Sequence, residues 1–355
     1  MLLVTGGAGY IGSHTTVQLL QAGYEIVVLD NLSNSSFTAL ERVRQITNKD
    51  LVFVEGDIRD PKVLKKIFQN YPITAVLHFA ALKAVGESMD QPLEYFDNNI
   101  GGTIKLLQAM EEAQVYHLVF SSSATIYGET DQWELEENMP LGMPTNNYGY
   151  TKLVVEQMLQ KLSAASNKWS FANLRYFNPI GAHESGLIGE DPQGIPNNLL
   201  PFVSQVAIGK LDYLRIFGSD YPTPDGTAIR DYIHIVDLAN AHLKALQYIE
   251  ENRGNHAWNI GTGNGYSVRQ IVEAFEQVTG QEVAFQYVPR REGDIAACWA
   301  NADKAATEIG WKPAYNLQDM INHLWNWQTN NPHGYANSNL EVTDFAKKLN
   351  RNDGA

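Results

Sequence analysis

One cysteine, Cys298, is all that 355 residues contain. A single thiol excludes an internal disulfide and any zinc site built from several cysteines, and it suits a reducing cytoplasm. Positive charge is also scarce: 26 lysines and arginines face 40 aspartates and glutamates, a net charge of −14. Without a surplus of cations to neutralise phosphates, nucleic acid and anionic membrane are not expected partners. An anionic small molecule still fits, provided a few arginines line its pocket. Long apolar runs are missing: VLHFAAL is far shorter than the ~18–20 residues of a bilayer span. The opening residues MLLVTGGAGYIG lack a basic stretch ahead of an apolar one, so no signal peptide is expected. No internal repeat is visible. A cytoplasmic, soluble protein is the expectation.

What is present is ample core material, 44% hydrophobic residues with 10% aromatics, in a chain long enough for about two domains. Through the first half, short apolar runs alternate with longer helical patterns. Strands are expected at Leu2–Thr5, Glu25–Asp30, Leu51–Gly56, Ala75–Ala80, His117–Ser121 and Ser170–Phe177. Helices are expected near Gly12–Ala22, Ser36–Thr47, Pro61–Asn70, Asn98–Ala113 and Tyr148–Ala165. Strands separated by such helices make right-handed crossovers, hence an α/β fold whose doubly wound parallel sheet is covered on both faces. After Phe177 the texture changes to the Gly-, Pro- and Asn-rich NPIGAHESGLIGEDPQGIPNNLLP, read as a long ordered loop. Shorter elements come next at Tyr213–Phe217, Ile233–Asn252, Trp258–Ile260 and Val268–Thr279. The expected organisation is a dinucleotide-binding domain over 1–176 with a returning segment near 230–262, a smaller α/β substrate domain over 177–335, and a peripheral tail over 336–355 in which LEVTDFAKKL forms a short helix.

The first turn reads Gly6-Gly7-Ala8-Gly9-Tyr10-Ile11-Gly12. Glycine permits the positive φ of a tight turn, and a missing Cβ lets a pyrophosphate reach backbone N–H groups at the positive end of the next helix. The triplet alone is weak, but it follows a strand, opens a helix and precedes a second strand ending in Asp30. A carboxylate there accepts from a ribose diol and repels a 2′-phosphate, which favours NAD over NADP. Gly56-Asp57-Ile58 closes the third strand; Asp57 either caps the next helix or meets the adenine edge. Phe79, Ala80 and Lys83, just past the fourth strand, face the same crevice because ligands lie along the carboxyl ends of the strands.

Ser121-Ser122-Ser123 ends the fifth strand, and Tyr148-x-x-x-Lys152 begins a helix. Residues i and i+4 share a face, so phenol and ammonium project together. An ammonium nearby is expected to lower the phenol's pKa and make it a base, while a serine hydroxyl across the cleft holds the substrate oxygen. His78 and His234, on apolar strands, read as satisfied core histidines. No cluster has metal-ligand spacing.

Taken together, TGGAGYIGSH, Asp30-Asn31, SSSATIYG, YGYTK, NLRYFNPIGAH, IPNNLLP, RDYIHIVDLA and NIGTGNGYSV resemble, in order and spacing to about Tyr335, the extended short-chain dehydrogenase/reductase family and, within it, the UDP-hexose 4-epimerases. The resemblance implies a Rossmann-type domain and NAD-dependent 4-epimerisation. Tightly held NAD takes a hydride from carbon 4 while Tyr148 removes the 4-hydroxyl proton. The 4-keto sugar turns over and takes the hydride back on its other face. Lys152 would hold the nicotinamide ribose and Ser123 bridge the hydroxyl. Asn31, Asn98, Ser121 and Tyr176 match cofactor positions, and Phe177 lies at the nicotinamide end. Asn178, Asn198 and Leu199 match sugar and uridine contacts; Lys83 touches both ligands; Arg230, Arg291 and Asp294 match diphosphate and ribose clamps, with Phe217 and Tyr232 beside them. An acidic protein that binds a diphosphate needs such forked guanidinium donors. A homodimer through the Asn98–Ala113 and Tyr148–Ala165 helices is also implied.

Sugar-nucleotide 4,6-dehydratases resemble the chain too, but they carry acidic residues where Ala124 and Thr125 stand. A non-enzymatic NAD-binding regulator would typically have lost Ser123, Tyr148 or Lys152. Cys298 matches a pocket-wall position where epimerases restricted to unacetylated sugars carry tyrosine and broader ones a small residue. The resemblance therefore extends the expected substrates from UDP-glucose and UDP-galactose to UDP-N-acetylglucosamine and UDP-N-acetylgalactosamine. The plainer reading is that Cys298 is a small buried hydrophobe.

Overall fold

The structure is a computed structural model and describes residues 1–192, 196, 198–291 and 293–337. Seven parallel strands form one sheet, in the spatial order 254–260, 170–176, 117–123, 75–78, 2–5, 26–30 and 52–55. The first strand therefore lies inside the sheet, with the second and third on one side and the fourth, fifth and later strands on the other. Helices cover both faces, and the alternation of strand side chains divides the core accordingly. Leu2, Val4 and Val28 pack with Val17, Leu20, Val43, Leu238 and Leu246 on one face. Leu3, Val27 and Leu29 pack with Leu64, Ile67, Leu106, Met110 and Leu159 on the other. These positions are almost wholly inaccessible, and each such side chain contributes roughly 1.5–3 kcal/mol on burial. The third strand, Val52–Glu55, and the start of the strand Gly254–Ile260 are half-exposed, as edge strands are.

The second lobe is built around Ile229–His234, which pairs with 265–267, 297–300 and 178–180. Helices Leu199–Ala207, Val268–Thr279 and Leu317–Asn330 pack against it through Leu200, Val203, Ile271, Phe275, Ile321 and Leu324. Among the described residues, no helix is long and apolar enough to cross a membrane, and no group of three or more side chains could hold a metal ion.

Several boundaries differ from the sequence reading. The element expected over Ile233–Asn252 divides: Ile233 and His234 end a strand, and the helix runs Ile235–Glu251. His234 makes the break, since its Nδ1 accepts from the Val236 N–H at 3.0 Å. The helix expected over Asn98–Ala113 starts at Pro92, and its Phe96–Gly101 section is a wide π turn before Gly102–Glu112. The fifth strand extends through Ser123, and the strand at Trp258 starts at Gly254. The short helix read in LEVTDFAKKL lies outside the described residues.

Candidate active site

The cofactor cleft opens where the strand order reverses, between the first and fourth strands, above their carboxyl ends. Its floor is the glycine turn. Gly6 has φ +71° and lies so close to the fourth-strand loop that a Cβ would sit 2.6 Å from the Ala80 N. A Cβ on Gly12 would overlap the Gly6 carbonyl, so the helix Tyr10–Gln21 can seat itself against the turn only with glycine there. Its N-cap, Gly9, has no side chain to satisfy the first N–H groups, and no acidic residue occupies the first turn. Those donors are left for an anion.

Asp30 is 7% exposed. Its carboxylate accepts from the Ala8 N–H at 3.0 Å, the Leu32 N–H at 2.9 Å and Ser35 Oγ at 2.8 Å, an acceptor already fixed for a ribose diol. Asn31 and Ser33–Ser36 complete this end of the cleft, with no arginine or lysine among them to meet a 2′-phosphate. Asp57 and Ile58 line the same end. Asp57 does not cap the following helix; Asp60 does, accepting from Lys62 N. Asp57 pairs instead with Arg59 at 2.8 Å, which holds its carboxyl below the usual range. The same guanidinium reaches Glu94 and Asp97 at 3.0 and 2.9 Å. The glycine turn at Gly6, Gly9, Tyr10, Ile11 and Gly12, together with Phe79, Ala80, Lys83, Asn98, Ser121, Tyr148, Lys152 and Tyr176, also lines this one cleft. The expected cofactor positions therefore converge, and the donor set fits a dinucleotide with an unphosphorylated ribose.

The π turn explains how Asn98 reaches the cleft. Asn99 Nδ2 donates to the Leu82 carbonyl and to Thr151 Oγ1, both at 3.0 Å, and its Oδ1 accepts from Leu82 N and from Asn98 Nδ2. One residue thus fixes the loop after the fourth strand, the helix of Tyr148 and Lys152, and its own neighbour. π turns inside α-helices recur at such sites.

Tyr148 and Lys152 rise from the helix Asn147–Ala165, capped by Asn146, whose side chain accepts from Gly149 N. Lys152 is 3% exposed. Its Nζ donates to the Ser121 carbonyl at 2.6 Å and to Ser121 Oγ at 3.2 Å, and lies 5.7 Å from the Tyr148 ring centre. The expected lowering of the phenol's pKa does not occur. Burial raises Tyr148 to about 12, opposed only by a hydrogen bond with Ser123, and burial lowers Lys152 to about 7. An ammonium that is half neutral near pH 7 lends the phenol little field, so desolvation dominates both. Ser123 ends the fifth strand and caps the short turn after it, its Oγ accepting from Thr125 N at 3.2 Å and Thr125 Oγ1 at 3.0 Å. Behind Tyr148, the Tyr176 hydroxyl meets His242 Nε2. His242 Nδ1 donates to the Leu238 carbonyl at 2.8 Å, so Nε2 is the acceptor and the phenol the donor. His78 is the satisfied core histidine read from sequence, between Thr5 and Thr103 at 2.7 and 2.9 Å.

The remaining expected substrate residues are spread over the smaller lobe and its border with the cofactor cleft. Arg230 and Tyr232 alternate along one strand; Arg230 is in register with Cys298, and Tyr232 with Asn178. Arg230 and Arg291 both reach Asp294, at 3.7 and 2.9 Å, and Arg291 lies 4.7 Å over the Phe217 ring. The two guanidinium groups are thus gathered by a carboxylate. Cys298 is buried with Tyr127, Leu135, Phe177 and Ala300. Asn198 precedes the helix that opens with Leu199 and donates to Glu190 Oε1 at 2.6 Å; that oxygen also meets Lys83 Nζ at 3.1 Å.

Glu190 and Tyr335 also line the cofactor cleft, and sequence reasoning misses both. Nothing in GEDP or HGYAN marks them; only the folded path of the chain brings them there. Asp231, within RDYIH, is missed as well. Its buried carboxylate accepts from the N–H groups of Thr262, Gly263 and Ala300 and fastens the NIGTGN turn to the second lobe.

The family model described as GDP-mannose 4,6 dehydratase matches residues 3–324. The UDP-glucose 4-epimerase of Bacillus subtilis (strain 168) is 56% identical over 337 residues, which cover 95% of this chain and 99% of that protein. The structure of UDP-glucose-4-epimerase from Stenotrophomonas maltophila, with bound NAD and formylated UDP-arabinopyranose, is 51% identical with a TM-score of 0.91 and covers 93% of this chain and 98% of that one. The enzyme from Bifidobacterium longum, in complex with NAD+ and UDP, is 49% identical with a TM-score of 0.92 and covers 94% of this chain and 99% of that one. The chain belongs to the UDP-glucose 4-epimerases, NAD-using isomerases of the extended short-chain dehydrogenase/reductase family.

Proposed function

We propose that the protein interconverts UDP-glucose with UDP-galactose, and UDP-N-acetylglucosamine with UDP-N-acetylgalactosamine, through a transient 4-keto sugar. The observation that carries the reading is that Tyr148, hydrogen-bonded to Ser123, and Lys152 line a cleft suited to NAD. NAD, when bound, supplies the acceptor and donor of the hydride at carbon 4. Tyr148 Oη takes the 4-hydroxyl proton and returns it. Ser123 Oγ would bridge the phenol and the sugar oxygen, and Lys152 Nζ, anchored on Ser121, would hold the nicotinamide ribose. Burial favours the protonated Tyr148, so its ionisation must accompany a fully charged Lys152. The ligands' negative charge favours that state of Lys152.

On the substrate side, Arg230 and Arg291 turn from Asp294 to the diphosphate, with Phe217 and Tyr232 as apolar walls and Asn178, Asn198 and Leu199 toward the sugar and uridine. The small Cys298, packed beside Phe177, is read as the pocket-wall position that admits a 2-acetamido group. Dehydration lacks its acid: Thr125, at one of the two positions in question, spends its hydroxyl on Ser123. We also read residues 1–176 with 230–262 as the cofactor domain. The apolar groove formed by Ile104, Leu107, Val154, Met158, Leu162 and Trp169, between the two helices, is read as the contact surface of a homodimer.

The test is product analysis of purified protein with each of the four UDP-sugars and no added NAD. Conversion of each to its 4-epimer is expected. Release of a 4-keto-6-deoxy product, or strict dependence on NADP, would overturn the reading.

A further inference from the structure

Tyr335 closes one side of the cofactor cleft more than 300 residues downstream of the glycine turn that forms its floor. The residue is 8% exposed and is held at every end. Its N–H donates to Asp191 Oδ2 at 2.8 Å, and its hydroxyl donates to the Gly189 carbonyl at 3.2 Å while accepting from the Gly189 N–H at 3.3 Å. Its ring lies 5.1 Å from the Arg42 guanidinium, which also stands 5.5 Å from Trp327. Arg42, 8% exposed, comes from the helix Phe37–Thr47 on the cofactor side of the molecule. Its Nη1 donates to the Leu187 carbonyl and to Asn331 Oδ1, both at 2.8 Å, and Asn331 Nδ2 donates to the Gly186 carbonyl at 2.9 Å.

The stretch Gly186–Asp191 is therefore sewn along its backbone to Trp327–Tyr335. The fit is close enough that a Cβ on Gly334 would overlap the Asp191 carboxylate, and one on Gly189 the Trp327 indole. The side chain of Glu190 turns the other way, to Lys83 at 3.1 Å. The same short stretch thus spans the cleft from the C-terminal segment to the loop after the fourth strand. None of these contacts serves proton transfer. All of them fix one wall of the cofactor cleft.

We propose that Trp327–Tyr335 is a cofactor-retaining clasp, in which Tyr335 walls the dinucleotide beside Tyr10 and Arg42 is the positioning residue that holds Tyr335 there. The inference rests on the reading of the cleft as an NAD site. An enzyme whose cofactor is reduced and reoxidised within one turnover gains from never releasing it, and a wall anchored by buried cation–π and charge-assisted hydrogen bonds slows release without altering the chemistry.

The experiment measures NAD(H) released by denaturation after prolonged gel filtration, and turnover of UDP-galactose against added NAD, for wild type, Tyr335→Ala, Tyr335→Phe and Arg42→Lys. Tyr335→Ala and Arg42→Lys should lose bound cofactor and acquire a dependence on added NAD, with an apparent KM raised at least about tenfold and kcat changed far less. Tyr335→Phe keeps the ring over Arg42 and should retain most of its cofactor. Melting of each variant with saturating NAD separates misfolding from release; if Tyr335→Ala fails to fold, the comparison of Arg42→Lys with Tyr335→Phe decides. Variants that keep NAD as wild type does, or whose lost activity is not restored by NAD, overturn the clasp while leaving the cofactor site intact. Wild-type protein that carries and uses no NAD overturns both.

Discussion

The Lys152 ammonium lies 5.7 Å from the centre of the Tyr148 ring and gives its short hydrogen bond, 2.6 Å, to the Ser121 carbonyl. A cation in so dry a position is costly, and burial holds Lys152 at about 7 against 10.5 for the free side chain. The folded pKa is lowered, so the penalty is fully present below pH 7 and disappears as pH rises toward 10.5. Lys152→Met should therefore stabilise the NAD-free protein near pH 7, with the gain shrinking by about 1.4 kcal/mol per pH unit above that. Urea unfolding of stripped wild type and variant from pH 7 to 10 measures the slope; a difference independent of pH would refute the burial argument.

Tyr148→Phe should lower turnover by about 10²–10⁴, the span of general acid–base catalysis, and leave NAD bound. Tyr150, two residues along the helix, is 37% exposed and meets Phe96 at 6.0 Å. Tyr150→Phe should remain within about threefold of wild type, because that substitution removes no catalytic proton. Steady-state rates with UDP-galactose decide, and equal losses at both positions would sink the assignment.

Cys298→Tyr should abolish conversion of the acetylated sugars and leave the plain hexoses largely active, because a phenol packed against Phe177 and Tyr127 clashes only with the larger substrate. Paired assays with UDP-galactose and UDP-N-acetylgalactosamine measure it. A parallel fall in both activities would point to the plainer role, a buried small hydrophobe.

Acid should unfold the protein early. Burial holds His14, His78, His234 and His242 at about 3, below the unfolded value of about 6.5. Above pH 6.5 the rings are neutral in both states and nothing is lost. Between 6.5 and 3 only the unfolded chain takes up the protons, and each ring costs about 1.4 kcal/mol per pH unit. Urea midpoints at pH 7.5, 6 and 5 should fall with increasing steepness, and His78→Asn should flatten the decline. A flat profile to pH 5 would contradict it.

The sheet and its cofactor end are legible in the sequence because periodicity and glycine chemistry are local. IVVLD can be little but a buried strand, and Gly6-x-x-Gly9-x-x-Gly12 is interpretable from seven residues. What escapes such reading depends on distant segments meeting. Arg59 joins Asp57 to Glu94 and Asp97, far along the chain. The π turn has no signature in FDNNIG; Asn99 enforces it by bonding Leu82 and Thr151, neither adjacent in sequence. The Tyr148 pKa departs from expectation because spacing gives the distance to a charge but not the degree of burial.

The wide turn at Phe96–Gly101 also acts as a phase device. An α-helix advances 100° per residue, so the additional residue in this turn resets the angle between the helical segments on its two sides. Glu94 ahead of it and Asp97 within it address Arg59; after it, Ile104 is exposed and lines an apolar groove with the more deeply buried Leu107. Removing one residue from 97–101 would give a more regular helix and a worse protein: either Asn98 leaves the cofactor cleft or the apolar stripe turns away from its groove. The irregularity lets one rod serve a ligand and an outer surface whose directions an ordinary helix could not reconcile.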